Sequence, residues 1–120
     1  MDANELVERY VAIWNESDEA ARRAGVVQLW ADGGAHFTSQ SESRGYDEIA
    51  ARITRNFDRF VSAGDYRFRS LNNICAHHGT VKFNWAMMPS NGGMAELVGF
   101  DFFVLDEEGK IQSDYQFIEP

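Results

Sequence analysis

The stretch LVGFDFFVLDEEGKIQSDYQFI, residues 97–118, constrains the fold most, because two apolar, β-rich runs flank an acid-rich turn that ends in glycine. The turn Asp106-Glu107-Glu108-Gly109 reads as a four-residue hairpin loop, which pairs Leu105 with Lys110, Phe103 with Gln112 and Asp101 with Asp114. Directly opposed residues share a face with Cβ atoms roughly 4.5–5.5 Å apart. Two carboxylates would then meet between apolar neighbours, where a second negative charge is disfavoured. Two readings stay open: a buried pair sharing one proton, or a solvated edge hairpin with both acids exposed.

The rest of the chain is a helix-rich half followed by an antiparallel meander. Asp2 with Glu5 three residues later is a capping-box-like start, and Leu6, Val7, Tyr10, Val11 and Trp14 recur at helical spacing over residues 3–15. Ser17 can cap a second helix, with Asp18 and Glu19 in its first turn and Ala21, Val27 and Trp30 facing inward; Gly25 weakens its middle. Asp32-Gly33-Gly34 stops that helix, and Ala35-His36-Phe37-Thr38 is a short strand before the polar loop SQSES. A third helix places Tyr46, Ile49, Ile53, Phe57 and Phe60 in one stripe and Arg52, Arg55 and Arg59 on another side, and Gly64 ends it. Strands over residues 66–74, 80–88 and 95–105 follow, separated by Ala76-His77-His78-Gly79 and Pro89-Ser90-Asn91-Gly92-Gly93. This segregation means α+β, and no Gly-rich phosphate loop follows any strand.

Alternation assigns faces. Val81, Phe83, Trp85 and Met87 face inward, whereas the strand before the last turn is apolar on both sides. One side can be covered by the helices. A second copy is the economical cover for the other, so Val98, Phe100, Phe102 and Val104 are expected in a homodimer interface.

A chain of 120 residues is expected to form one domain, residues 1–120, around one core, and three Trp with nine Phe exceed what a minimal core needs. The surplus points to a pocket or an interface. A formal net charge of −8 argues against nucleic acid and anionic membranes as partners. Cys75 is the only cysteine, which leaves no internal disulfide or thiolate zinc cluster and suits a reducing cytoplasm. The N-terminal MDANELVERY is acidic without a long apolar run, so neither a signal peptide nor a membrane span is expected there.

RYVAIWNESD in the first helix, QLWADGGAHF at the end of the second, RGYDEI opening the third and FDFFVLDEEGKIQ in the last hairpin together resemble the nuclear transport factor two-like superfamily. The resemblance is to its SnoaL-like and ketosteroid-isomerase-like members and covers nearly the whole chain. It implies a cone in which a strongly bent antiparallel sheet wraps three N-terminal helices around a deep apolar pocket, and many members are dimers. It also implies roles. Tyr10 falls where the isomerase branch has its pocket tyrosine, and Asp101 where that branch has a neutral, hydrogen-bond-donating aspartic acid. Asp114 stands where the isomerase has an apolar residue. Thr38-Ser39-Gln40 stands where its general-base aspartate belongs, so ketosteroid isomerase activity is not expected.

His36 can substitute as base if the strand is in the unshifted register, or it is structural. Trp14, Trp30, Phe37, Phe57, Phe83, Trp85, Met87 and Phe103 are expected to line or support the pocket, with core packing as the alternative for each. His77 and His78 at a hairpin tip and Arg67 and Arg69 on one strand face are expected in solvent, and no metal or cofactor is expected. Two function classes remain. One is a cofactor-independent isomerase, cyclase or dehydratase acting on a small, largely hydrophobic carbonyl- or hydroxyl-bearing molecule through Tyr10, Asp101 and Asp114 or His36. The other is a non-catalytic ligand-binding or dimerisation module.

Overall fold

Helix α1 (Ala3–Asn15) begins at Asp2, whose side chain accepts the Glu5 N–H at 2.8 Å, and buries Leu6, Val7, Tyr10, Ile13 and Trp14. The computed structural model describes residues 1–119; Pro120, the last residue of the expected domain, lies outside them. Helix α2 (Glu19–Leu29) is capped by Asp18 rather than Ser17, because the Asp18 carboxylate reaches the Ala21 N–H at 2.9 Å. Its inward residues are Arg22, Val26 and Leu29, one step off the expected Ala21 and Val27, both of which are exposed. Gly25 is there for room: a Cβ on it would lie 2.7 Å from Ile13 Cγ1 of α1.

Strand β1 (Trp30–Phe37) starts directly from α2 and swallows Asp32-Gly33-Gly34, which form a bulge within the strand instead of a stop before it. The polar stretch after it contains a further short strand, β2 (Glu42–Arg44). Helix α3 (Gly45–Asn56) fully buries Ile49 and Ile53, each worth on the order of 1.5–3 kcal/mol. It continues into a π-helical turn (Phe57–Val61), where the Ser62 N–H donates to the Phe57 carbonyl at 2.9 Å.

Five strands follow: β3 (Tyr66–Ser70), β4 (Cys75–His77), β5 (Thr80–Pro89), β6 (Leu97–Leu105) and β7 (Ile111–Glu119). The expected strand over residues 66–74 is therefore two shorter pieces, and β4 takes in residues assigned to a separator. The sheet order is β2-β1-β7-β6-β5-β3, with β4 also on β5. All pairs are antiparallel except β1 with β7, which run parallel and make the sheet mixed. The core joins α1, α2 and α3 to the inner face of β5 and β6 through Tyr10, Trp14, Leu29, Ile53, Phe83 and Phe103. Among the described residues, no helix is long and apolar enough to cross a membrane.

The β6–β7 hairpin departs from the expected register. Leu105 pairs with Ile111, and a bulge at Gln112 then sets Phe103 opposite Asp114 and Asp101 opposite Gln116. The loop is one residue longer than read because Asp106 closes it: its Oδ1 accepts the N–H groups of Glu108 and Lys110, each at 2.9 Å.

Candidate functional site

Asp101 and Asp114 are diagonal rather than opposed, yet on the same inner face, and both are essentially fully buried. Tyr10 joins them across the core from α1. Its hydroxyl oxygen lies 2.8 Å from Asp101 Oδ2 and 2.6 Å from Asp114 Oδ2. A phenol has one hydrogen, so it can donate to one carboxyl only, and the other contact needs a proton from the acid.

Trp85 Nε1–H donates to Asp101 Oδ1 at 2.7 Å, so Asp101 has a donor for each oxygen. Asp114 Oδ1 meets no partner among the described residues. Burial, then repulsion from Asp101, raises the Asp114 carboxyl well above the usual carboxylate range. Because both Asp101 oxygens already face a donor, the donor count places the shared proton on Asp114, which donates to Tyr10 while Tyr10 donates to Asp101. The resemblance implied the other placement, with Asp101 as the neutral acid. Burial and the two carboxyls push the Tyr10 phenol well above its ordinary value, so it remains a donor.

Aromatic rings fix Tyr10 in place. Phe103 and Phe83 lie at centroid distances of 4.8 and 5.7 Å, with Trp30 at 5.5 Å and Trp14 at 6.0 Å. His36 stands behind the acid pair on β1, its Nε2 3.0 Å from Gln116 Oε1 and 3.7 Å from Asp114 Oδ2. Burial lowers its basicity, so the imidazole is neutral, Nε2 donates to Gln116, and Nδ1 lacks a partner among the described residues. His36, Asp101 and Asp114 bring ligand atoms within 4.8 Å of one another and are the set that could hold a cation. Tyr10 and Trp85 already engage three of the four carboxyl oxygens, which makes it a proton-sharing site first.

An inner cavity of about 30 Å³ reaches Tyr10 and Asp101, with Trp14, Phe68, Phe83, Trp85, Asn56 and Gln116 around it. That is room for one small polar group. Asn56, Phe68, Trp85 and Gln116 also line a wider vestibule of about 610 Å³, bordered by Arg52, Arg55, Arg59, Phe60, Met87 and Leu97.

Of the expected lining residues, Trp14, Phe83 and Trp85 border the inner cavity and Met87 the vestibule. Trp30 and Phe103 are packed behind Tyr10. Phe57 is buried under the Arg22 guanidinium at 4.6 Å, away from both rooms. Phe37 is on the opposite face, stacked on Tyr115 at 5.1 Å, because strand alternation sends it outward once His36 points in. Asp114 and His36 border neither room; they lie one layer deeper.

Thr38 and Ser41 close a turn, Thr38 Oγ1 to Ser41 Oγ at 2.7 Å, and Ser39 is exposed. Arg67 and Arg69 are exposed, as are His77 and His78, whose Nδ1 atoms lie 3.1 Å apart. Gln116, Asn56 and Phe68 were missed. Gln116 could have been found from Asp114 by the two-residue period, and Phe68 was hidden between two arginines.

No family sequence model matches the chain, and no curated protein matches it in sequence. Its structure is similar to that of a SnoaL-like family protein from Agrobacterium tumefaciens, provisionally an isomerase, with TM-score 0.88 and 27% identity over 98% of this chain and 97% of that one. It is also similar to a provisional polyketide cyclase from Sinorhizobium meliloti, with TM-score 0.70 and 12% identity over 93% of each chain. A protein of unknown function from an Exiguobacterium species, described as NTF2-like, gives TM-score 0.72 and 18% identity over 95% of this chain and 98% of that one.

Proposed function

We propose, from the premise that this chain has the SnoaL-like, nuclear transport factor two-like cone fold, that it binds a small, largely hydrophobic molecule by a carbonyl or hydroxyl oxygen and moves a proton on it. The observation that carries the reading is the Tyr10 hydroxyl set between two buried carboxyls, which together must hold a proton. The ligand oxygen enters the inner cavity beside Tyr10 and Asp101, and its bulk occupies the vestibule. As an enolisable ketone reacts, Asp101 takes the proton from the carbon next to the carbonyl. Tyr10 gives its proton to the carbonyl oxygen, and Asp114 restores Tyr10. The product is the enol, and isomerisation, cyclisation or dehydration can proceed from it. This chemistry needs neither cofactor nor metal.

Deuterium wash-in into 4-phenylbutan-2-one, followed by NMR, tests the reading. The parent should accelerate exchange over buffer, and Tyr10→Phe and Asp101→Asn should each lose it by about a hundredfold or more. A protein that binds 4-ethylphenol and the ketone without exchange is the binding module. Absence of binding by both removes the pocket reading. The tightness of the inner cavity, in which Asp101 already accepts from both Tyr10 and Trp85, is the observation that favours the module.

The working unit is proposed to be a homodimer through the outer sheet face. Val98, Phe100, Phe102 and Val104 are half-buried there, and Phe100 stacks on Phe117 at 4.8 Å, leaving Phe117 51% exposed. The single cysteine, Cys75, an exposed free thiol, supports a reducing cytoplasmic setting.

A further inference from the structure

The vestibule has a charge pattern that the chain's composition does not lead one to expect. The chain carries 19 acidic side chains against 11 Lys and Arg, yet the charged residues bordering the vestibule are three arginines, Arg52, Arg55 and Arg59, and no carboxylate. They stand on one face of α3 and its π-helical extension at spacings of three and four residues. None makes an ion pair among the described residues. Like charges so spaced repel, and Arg52 is close enough to Arg55 and Arg59 to be affected. The C-terminal end of α3 favours cations, which accounts for Arg55 and Arg59. It does not account for Arg52, which is half-buried nearer the middle of the helix with its Nε–H sealed from solvent and without a partner among the described residues.

The vestibule adjoins the inner cavity, the two sharing Asn56, Phe68, Trp85 and Gln116 in their walls. A ligand whose oxygen reaches Tyr10 therefore extends past the arginines. We propose that the ligand is amphipathic and bears an oxyanionic tail, carboxylate or phosphate, at the end away from its carbonyl or hydroxyl, and that Arg52, Arg55 and Arg59 hold this tail. The inference rests on the pocket reading above and names its substrate class. Guanidinium donors pair with such oxyanions in a two-pronged way, and the apolar walls of Phe60, Phe68, Met87 and Leu97 suit the connecting body.

The test compares 4-ethylphenol with 3-(4-hydroxyphenyl)propanoate and 2-(4-hydroxyphenyl)ethylphosphonate on the parent protein, by calorimetry at low salt. At least one anionic compound should bind about tenfold tighter than the phenol, and which one does so identifies the oxyanion. The advantage should shrink in about 0.5 M NaCl, where screening is strong, a readout that needs no variant. In the Arg52→Gln, Arg55→Gln double variant the anionic compound should weaken by several-fold more than the phenol. Tyr10→Phe should weaken both. If 4-ethylphenol binds and neither anion binds tighter, or the advantage survives salt and the double variant, the arginines hold no tail and only this inference falls. If neither phenol nor anion binds, the pocket reading has failed and takes the inference with it.

Discussion

Asp114 couples the site to stability in a direction opposite to that of an ordinary surface acid. Its carboxyl is raised well above the unfolded value of about 3.9. The folded state therefore keeps a proton that the unfolded chain has lost. The stability this contributes is fully present below the unfolded value and is lost as pH rises through the folded one, by up to about 1.4 kcal/mol per pH unit. His36 acts in the reverse sense. Its lowered basicity makes the fold lose stability as pH falls below about 6.5. In Asp114→Asn the amide still donates to Tyr10 and the acid slope is gone. Denaturation of parent and variant from pH 4.5 to 8 should show the parent losing ground to the variant as pH rises; parallel profiles would mean that Asp114 is not protonated in the fold. Tyr10→Phe removes the bridge and leaves the two carboxyls to face each other, at a cost of about 1–3 kcal/mol.

Among the elements, the β6–β7 hairpin shows how two residues can be put on one face from an incorrect register. Asp106 lengthens the loop by one residue, and the bulge at Gln112 adds another. Each single shift would have turned Asp114 to the outer face, but two restore the parity. Only the partner changes, from Asp101 to Phe103. Gly99 on β6 is the position where this hairpin leaves no room. A Cβ there would lie within 2.5 Å of Trp85 Cζ2 and would also meet the Phe117 carbonyl. Ordinary strand preference favours alanine by about 0.5–1 kcal/mol, whereas overpacking costs about 1–3 kcal/mol. Gly99→Ala should thus lower the urea midpoint and shift the NMR signal of the Trp85 indole N–H, which Asp101 accepts. A midpoint at or above that of the parent would refute the close packing of Trp85 on β6.

For the whole molecule, the proposed assembly rests on the outer sheet face. Phe100 lies there between Phe117, at 4.8 Å, and the Lys82 ammonium, at 4.6 Å from its ring, so a charge at Phe100 would be surrounded by apolar neighbours and one cation. Phe100→Glu should convert a dimeric parent to monomer without loss of the inner core, read by light scattering and near-ultraviolet circular dichroism. A parent that is monomeric at micromolar concentration would show that the strip is not an interface.

The period-two and period-3.6 patterns were enough to obtain the helices, most strands, the inward side of Phe83 and Trp85 and the shared face of Asp101 and Asp114, but not which way that face points, because periodicity is a local property of the backbone. Capping was legible where a side chain meets its own helix, at Asp2. It was misjudged at Ser17 because Asp18, a residue later, competes for the same N–H groups. Three features depended on tertiary structure. The parallel pairing of β1 with β7 brings His36 behind Asp114. The reach of Tyr10 across the core decides that one proton serves two acids and on which acid it rests. The placing of α3 against the ends of β5, β6 and β7 brings the narrow cavity and the arginine-bordered vestibule side by side. None of these follows from local sequence, since each joins segments far apart in the chain whose pairing is settled by packing of the whole core rather than by any residue's own preference.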